Sequence, residues 1–225
     1  MLKVAVIITL VDPADRTPGC LEECQKQVEA IQAEEKYTFS IFMNTAGEAG
    51  RKGIWKQASR EGCDFYLWID RDLVLAEDAI RVFLENSEFL RHRVIIAGTV
   101  SGPDGSTLLF GGRSRHGRIL PPDPTIPVPC HLFDNDLALI PAYAFSQLED
   151  PEEMFHRSII EYGCGAKAAK AGVARVIAPG ILARTSRKIE IPVWKNPEYS
   201  LAERALALFR SARHEFMRIL HSSFR

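Results

Sequence analysis

Apolar runs alternate with amphipathic segments along the first hundred residues of the chain. Runs at 4–10, 37–43, 65–69 and 94–98 have the length and the aliphatic or aromatic character of buried strands. Segments at about 18–35, 51–61 and 77–90 carry apolar residues at helical spacing. This alternation predicts an α/β fold in which helices flank a mostly parallel central sheet through right-handed crossovers.

The pattern changes after Gly98. Residues 101–130 are rich in Gly and Pro, which predicts a long loop or hairpin region. A strand at 137–140, helices at 143–148 and 158–171, and a last strand at 174–177 follow. Beyond Pro179 the chain is basic, and Ser200 and Glu203 form a capping box that begins a helix of some twenty residues. We predict one domain over 1–190 and a C-terminal helical extension over 191–225.

The apolar run that begins at Phe65 ends in two carboxylates, Asp70 and Asp72. In open α/β sheets, ligands bind in the crevice beyond the carboxyl ends of the strands. An Asp-x-Asp at this place suits Mg²⁺ or Mn²⁺, with phosphate oxygens filling the remaining coordination positions. The structural alternative is that both residues cap a helix beginning near Ala76.

Composition and charge limit the function classes. Of the 225 residues, 46% are hydrophobic and 25% charged, which is typical of a soluble globular protein. The net charge of -1 gives no general attraction to nucleic acid. The five cysteines contain no Cys-x-x-Cys pair, so we expect small buried thiols and no disulfide framework or zinc ribbon. The apolar run after Lys3 is too short to span a bilayer, which favours a first strand in a cytoplasmic protein.

Four segments carry a resemblance to a known family. Residues 65–75 read Phe-Tyr-Leu-Trp-Ile-Asp-Arg-Asp-Leu-Val-Leu, residues 111–113 Gly-Gly-Arg, residues 133–141 Phe-Asp-Asn-Asp-Leu-Ala-Leu-Ile-Pro, and residues 161–172 Glu-Tyr-Gly-Cys-Gly-Ala-Lys-Ala-Ala-Lys-Ala-Gly. In order and spacing they resemble family-2 glycosyltransferases with the GT-A fold, especially the bacterial branch associated with rhamnosyl-type transfer in cell-surface polysaccharides. The similarity covers nearly all of residues 3–200. It implies a nucleotide-binding half over 1–100 and an acceptor half over 101–190.

The resemblance also implies a reaction. Such enzymes move a sugar from a nucleotide diphosphate to an acceptor hydroxyl with inversion, using a divalent metal, Mg²⁺ or Mn²⁺, and a carboxylate base. Asp72 would be the direct metal ligand, Asp70 would contact the ribose or a metal-bound water, and Glu161 would be the base. The residues implied at the nucleotide are Val11, Asp12, Asn44, Arg51 and Lys52. Those implied on the acceptor side are Arg113 and Asp136.

Several positions depart from the family pattern. Arg71 stands where the metal motif usually has an acid, Glu161 where Asp is usual, and Gly163 where a second acid is usual. The acidic loop after the second strand is shortened to Asn44-Thr-Ala-Gly47. These departures favour an alternative, a catalytically silent GT-A domain that binds nucleotide or glycan. A nucleotidyltransferase would share the scaffold, but the loop after the first strand, 11–16, lacks the glycines it needs.

Two features keep alternatives open at the sequence level. Glu161 is either the base or a first-turn residue that interacts with a helix dipole. The C-terminal helix, apolar on one face and basic on others, either lies on an anionic membrane that carries a lipid-linked acceptor or packs on the domain or on a second subunit of a homodimer. The expected partners are therefore a nucleotide-sugar donor and a glycan or lipid-linked acceptor, at the inner face of the membrane in the first case.

Overall fold

The structure, a computed structural model, describes residues 1–9, 19–44, 57–147, 168–169, 171–187 and 200–207. The chain divides into two compact units, Met1–Arg187 and Lys188–Arg225. In the second unit, residues 201–207 are helical and begin at the predicted capping box. The Ser200 N–H donates to Glu203 Oε2 over 2.9 Å, and the Glu203 N–H donates back to Ser200 Oγ over 3.3 Å.

Three helices and thirteen strands of the first unit lie wholly within the described residues, and residues 57–60 and 168–169 are also helical. The helices are α1 (Gly19–Gln32), α2 (Ala79–Phe89) and α3 (Ala142–Ser146). The strands are β1 (Leu2–Thr9), β2 (Tyr37–Asn44), β3 (Phe65–Asp70), β4 (Leu73–Leu75), β5 (Val94–Ala97), β6 (Val100–Ser101), β7 (Leu108–Phe110), β8 (Gly112–Arg113), β9 (Val128–Pro129), β10 (Leu132–Phe133), β11 (Leu137–Pro141), β12 (Ala174–Ile177) and β13 (Ala183–Thr185). Within the described residues, no helix is long and apolar enough to cross a bilayer.

The central sheet has the strand order β2-β1-β3-β11-β5-β12-β9. β1 runs parallel to both β2 and β3, which confirms the predicted β-α-β unit. β11 enters antiparallel between β3 and β5, and β9 is antiparallel at the far edge. The other five strands share one direction, so the described sheet is mixed but mostly parallel.

Alternate residues of β1 and β3 serve two separate apolar clusters, as expected for strands covered on both faces. On one face, Val4, Val6 and Ile8 pack with α1 and α2. On the other, Ala5 and Ile7 pack with residues from α3 and from around 168–173. All six residues of β3 are buried, so the polar end of this strand is carried on a rigid, fully covered support.

The region 101–130 is more structured than the sequence predicts. β6 and β7 from this region join β4 and β13 in a second sheet of order β4-β13-β6-β7. β8 and β10 form a two-stranded ribbon. These strands are only two or three residues long, which is too short for a hydrophobic period to be recognised in the sequence.

Asp70 and Asp72 do not cap a helix, so the structural alternative for them is wrong. The chain after Asp72 enters β4, and α2 begins only at Ala79. Asp78, at the N-terminus of α2, makes no side-chain capping hydrogen bond. The buried Gln27 of α1 caps that helix instead, because its Oε1 accepts the Ile80 N–H over 3.0 Å.

The Gly-Gly pair of the resemblance has a packing reason in this structure. A Cβ on Gly112 would lie 2.2 Å from Cγ1 of Ile177, so the ribbon can cross β12 this closely only with glycine. Gly111 has φ +149° and donates its N–H to Asp134 Oδ2 over 2.9 Å. The pair therefore fixes how the ribbon crosses the sheet.

Four cysteines confirm the expectation of small buried thiols. Cys20, Cys24, Cys63 and Cys130 are all buried and none forms a disulfide. Burial raises the pKa of Cys20 and of Cys24 to about 12, which removes thiolate character at neutral pH. Cys164 and the predicted helix over 158–171, apart from 168–169 and 171, lie outside the described residues, as do the loop 11–16 and residues 51–56.

Candidate functional site

The carboxyl ends of the parallel strands bring polar residues into one row. The register pairs Thr9 with Asn44 on one side and with Asp70 on the other. Asp136 closes the row, because its backbone oxygen accepts the Asp70 N–H over 2.7 Å where β11 begins. Three residues that the sequence predicts for the site, Asn44, Asp70 and Asp136, therefore lie at adjacent strand ends.

The Asp-x-Asp forms the turn between β3 and β4. Asp70 is 7% exposed, and its Oδ1 accepts the Asp72 N–H over 3.3 Å, an Asx-type contact that stabilises the turn. Asp72 is exposed, and its Oδ1 lies 3.2 Å from Nε of Arg71. Arg71, one of the departures from the pattern that the chain resembles, thus forms an ion pair with the second acid of the motif.

Arg187, the last residue of the first unit, completes this cluster. Nη1 of Arg187 lies 3.3 Å from Asp70 Oδ2, and Nη2 donates to Asp136 Oδ1 over 2.7 Å. The guanidinium carbon lies 4.4 Å from the centre of the Phe110 ring, a cation–π contact. Burial disfavours the charge of Arg187, but Asp136 and Asp70 outweigh that effect and raise its pKa above the ordinary value.

Strand pairing explains why Arg187 reaches a residue 117 positions earlier in the chain. β13 runs antiparallel to β4, with Thr185 opposite Leu73, so the chain beyond Thr185 passes the Asp70–Asp72 turn. The Arg187 N–H donates to Thr185 Oγ1 over 3.1 Å, which holds this segment against the strand end. The pairing of β13 with β4 in the second sheet therefore places Arg187 beside Asp70 at the end of β3.

Arg113, implied on the acceptor side, forms a buried ion pair. Its Nε lies 2.9 Å from both carboxylate oxygens of Asp134, and its Nη1 donates to the Gly117 oxygen over 3.0 Å. The side chains are only 13% and 4% exposed. Burial raises the pKa of Asp134 to about 6, while the hydrogen bond and charge of Arg113 oppose that shift. The pair joins β8 to the segment before β11.

Several predicted site residues lie outside the described part of the chain. They are Val11, Asp12, Arg51, Lys52 and the proposed base Glu161. Asn44 is placed by its backbone alone. The roles assigned to these residues stay predictions.

The described residues do not by themselves fit a divalent metal ion. Asp70 already receives Arg187 and a backbone N–H, and Asp72 receives Arg71. Within the described ranges, no group of three or more His, Cys, Asp or Glu side chains is arranged to hold a metal. Mg²⁺ needs about six oxygen ligands in a near-octahedral arrangement. The predicted Mg²⁺ or Mn²⁺ ion stays a prediction.

Sequence reasoning missed Arg187 and Phe110 as members of this site. The basic character of the chain after Pro179 was the available signal, but nothing in it connects Arg187 to Asp70. That connection depends on the pairing of β13 with β4, two strands of three residues each. Phe110 lies at the end of another three-residue strand, β7.

Comparison with known proteins gives similarity in fold only. No family model and no curated protein matches the chain. The fold is similar to that of A197 from STIV, with a TM-score of 0.53 at 10% identity, over 81% of this chain and 84% of that one. The structure of S. aureus TarS has a TM-score of 0.49 at 12% identity, over 96% of this chain and 44% of TarS. TarS 1–349 in complex with UDP-GlcNAc has a TM-score of 0.47 at 11% identity, over 84% of this chain and 60% of that one.

The A197 similarity shows a shared α/β fold over most of both chains. The TarS scores are lower, and the chain spans 60% or less of the TarS chains. Any function must therefore be argued from the residues of the site.

Proposed function

We propose that this chain is a GT-A glycosyltransferase of family 2, which moves a sugar from a nucleotide-diphospho-sugar to an acceptor hydroxyl in cell-surface glycan synthesis. One observation carries the proposal: Asn44, Thr9 and Asp70 line up at the carboxyl ends of neighbouring parallel strands, and Asp136 lies beside them at the start of β11. That edge of an α/β sheet is where nucleotides bind. The motif resemblance supplies the reaction class, with the rhamnosyl-type branch as its finer form.

The proposed reaction is a single displacement with inversion. The acceptor oxygen attacks the anomeric carbon of the donor, and the bond from that carbon to the diphosphate oxygen breaks with its electron pair leaving on the diphosphate. Glu161 takes the acceptor proton. Asp70 and Asn44 border the nucleotide, and Asp136 lies beside them.

Nucleotide titration combined with donor turnover tests the proposal. UDP, GDP and dTDP are titrated calorimetrically, and turnover is followed with their sugar conjugates, UDP-GlcNAc and dTDP-rhamnose among them. We expect one nucleotide to bind and its sugar to be turned over, with Asp70→Asn at least about tenfold slower. Asp78→Asn is the matched control, because Asp78 is an exposed acid eight residues further along the chain. If no nucleotide bound and no donor turned over, the proposal would be wrong.

A substitution at Glu161 tests the proposed base separately. Glu161→Gln removes the proton acceptor without changing size, so we expect turnover to fall by about a hundredfold or more while nucleotide affinity is kept. Full activity of Glu161→Gln would show that another group takes the proton.

A silent GT-A domain is the second candidate, and the ion pairs of the site favour it. Arg71 and Arg187 face the carboxylates of Asp72 and Asp70, which are the acids the reaction would use. This candidate predicts nucleotide or glycan binding with no turnover of any donor by the wild-type chain. The same titration and turnover assays therefore separate the two functions.

A further inference from the structure

The position expected for a metal ion is bordered by a side chain of this protein that carries its own positive charge. Arg187 bridges the carboxylates of Asp70 and Asp136 through two different nitrogens, at 3.3 and 2.7 Å. The side chains alone of Asp70 and Asp136 are 10% and 15% exposed, so their charges are only partly hydrated. A planar guanidinium with donors on separate nitrogens can satisfy two carboxylates at once.

The surroundings hold the guanidinium in place. Phe110 lies against one face at 4.4 Å, and the Thr185 hydroxyl accepts the Arg187 backbone N–H. The raised pKa of Arg187 agrees with this geometry: burial disfavours the charge, but Asp136 and Asp70 outweigh it. Arg187 is therefore a permanently charged, positioned cation at the carboxyl end of β3.

Arg187 keeps donors for a further anion. A guanidinium has about five N–H donors, and the two carboxylates use two of them. A quarter of the side chain is exposed, so part of it remains accessible from solvent. Phosphate oxygens are preferred partners of such a group because the hydrogen bonds are charge-assisted.

A divalent ion at Asp70 would meet this charge directly. Asp70 Oδ2 faces Arg187, Oδ1 accepts the Asp72 N–H, and Asp72 itself faces Arg71. An ion would have to displace a guanidinium from a partly buried carboxylate or lie beside it, and like charges repel strongly where water is partly excluded.

We infer that Arg187 is the cation of this site and binds the diphosphate of the donor nucleotide directly, with Asp70 and Asp136 positioning the guanidinium. Nucleoside diphosphate binding therefore needs no divalent ion. The diphosphate part of this inference rests on the function proposed above, while the exclusion of a divalent ion by Arg187 does not.

The first experiment contains no nucleotide. Mn²⁺ binding is measured by electron paramagnetic resonance on wild type, Arg187→Gln and the control Arg184→Gln, which removes an exposed arginine three positions earlier. We expect Arg187→Gln to bind Mn²⁺ at least about tenfold more tightly than wild type, because it removes the positive charge beside Asp70 and Asp136, and Arg184→Gln to match wild type. If Arg187→Gln bound Mn²⁺ no better than wild type, the exclusion of a divalent ion would be wrong.

The second experiment measures nucleoside diphosphate affinity in EDTA and in Mn²⁺. We expect wild type to bind equally well in both, and Arg187→Gln to bind about tenfold or more weakly in EDTA, with Mn²⁺ restoring part of the loss. Arg187→Lys keeps the charge but not the planar, forked set of N–H donors, so its loss of nucleotide affinity in EDTA should be smaller than that of Arg187→Gln. Binding by wild type that disappears in EDTA would overturn the inference and leave the proposed function standing.

The outcomes of these experiments distinguish a failure of the proposed function from a failure of the exclusion of a divalent ion. If no nucleotide bound under any condition, the proposed function and the diphosphate role of Arg187 would fall together. The Mn²⁺ experiment would still decide whether Arg187 excludes a divalent ion. Circular dichroism spectra and melting temperatures of the variants confirm that each one is folded before binding is measured.

Discussion

At the residue scale, the structure separates two arginines that the sequence shows only as charged positions. Arg113 lies in a buried pair with Asp134, and its guanidinium also holds the Gly117 carbonyl. Arg187 is more exposed, at 25%, and bridges two carboxylates at the strand ends. The first arrangement uses the charge to hold a ribbon together, whereas the second leaves part of the guanidinium exposed to solvent.

Arg113→Ala should make stability depend strongly on pH. It leaves Asp134 buried without its cation, so the pKa of Asp134, about 6 in the folded wild type because of burial, rises further. A carboxyl whose pKa is higher in the folded than in the unfolded state lowers the free energy of unfolding as pH rises from its ordinary pKa through the folded one. We expect a loss of about 3 kcal/mol at about pH 8 and a smaller loss at about pH 5, measured by urea unfolding.

The control is the double variant that carries both Arg113→Ala and Asp134→Asn. The double variant carries no buried charge at this pair, so its loss of stability should be nearly the same at both pH values. An equal loss at both pH values in Arg113→Ala alone would contradict the assignment of Asp134 as the group that titrates.

At the element scale, one buried amide of α1 forms hydrogen bonds with the segment that leads into α2. Gln27 is 5% exposed; its Nε2 donates to the Ala76 oxygen over 2.7 Å, and its Oε1 accepts the Ile80 N–H over 3.0 Å. One side chain thus provides hydrogen-bond partners for a carbonyl between β4 and α2 and for an N–H in the first turn of α2. Because β4 follows the Asp70–Asp72 turn directly, this amide also supports the site.

Gln27→Ala should destabilise the fold by about 1–3 kcal/mol, because it leaves the buried Ile80 N–H without its partner and removes one of the two hydrogen bonds that the Ala76 oxygen accepts. Chemical denaturation measures the change, and hydrogen exchange at Ile80 should speed up with it. Gln32→Ala, at the exposed end of the same helix, is the matched control and should change stability by less than about 0.5 kcal/mol. Equal effects of the two variants would show that the amide contacts do not matter.

At the scale of the whole molecule, the first unit is a sheet covered on both faces and a smaller sheet that carries the site's cation. β1 and β3 have neighbours on both sides, and all of β3 is buried. β7, at the edge of the second sheet, is only partly buried in its first two residues. Local opening is therefore easier in the second sheet than in the first.

Hydrogen exchange followed by mass spectrometry should show this difference. We expect the amides of Phe65–Asp70 to exchange only through global unfolding, and those of Leu108–Phe110 to exchange about tenfold or more faster. Equal protection of the two segments would mean that both sheets open as one cooperative unit.

The fold was predictable wherever a periodic pattern was long enough. β1, β2, β3, β5, β11, β12 and the helices α1 and α2 follow from runs of apolar residues with a clear period, and their bounds differ from prediction by a few residues. The short strands of 101–133 were not predictable, because two or three residues carry no period and their pairing is set by distant partners.

The sequence alone determined that Asp70 ends a buried strand, because local apolar character makes the strand and the first acid stops it. It also determined the β-α-β order that brings Asn44 beside Thr9. Only the tertiary structure decided what faces Asp70. Arg187 reaches it through the antiparallel pairing of β13 with β4, a contact between residues far apart in sequence that no local pattern encodes.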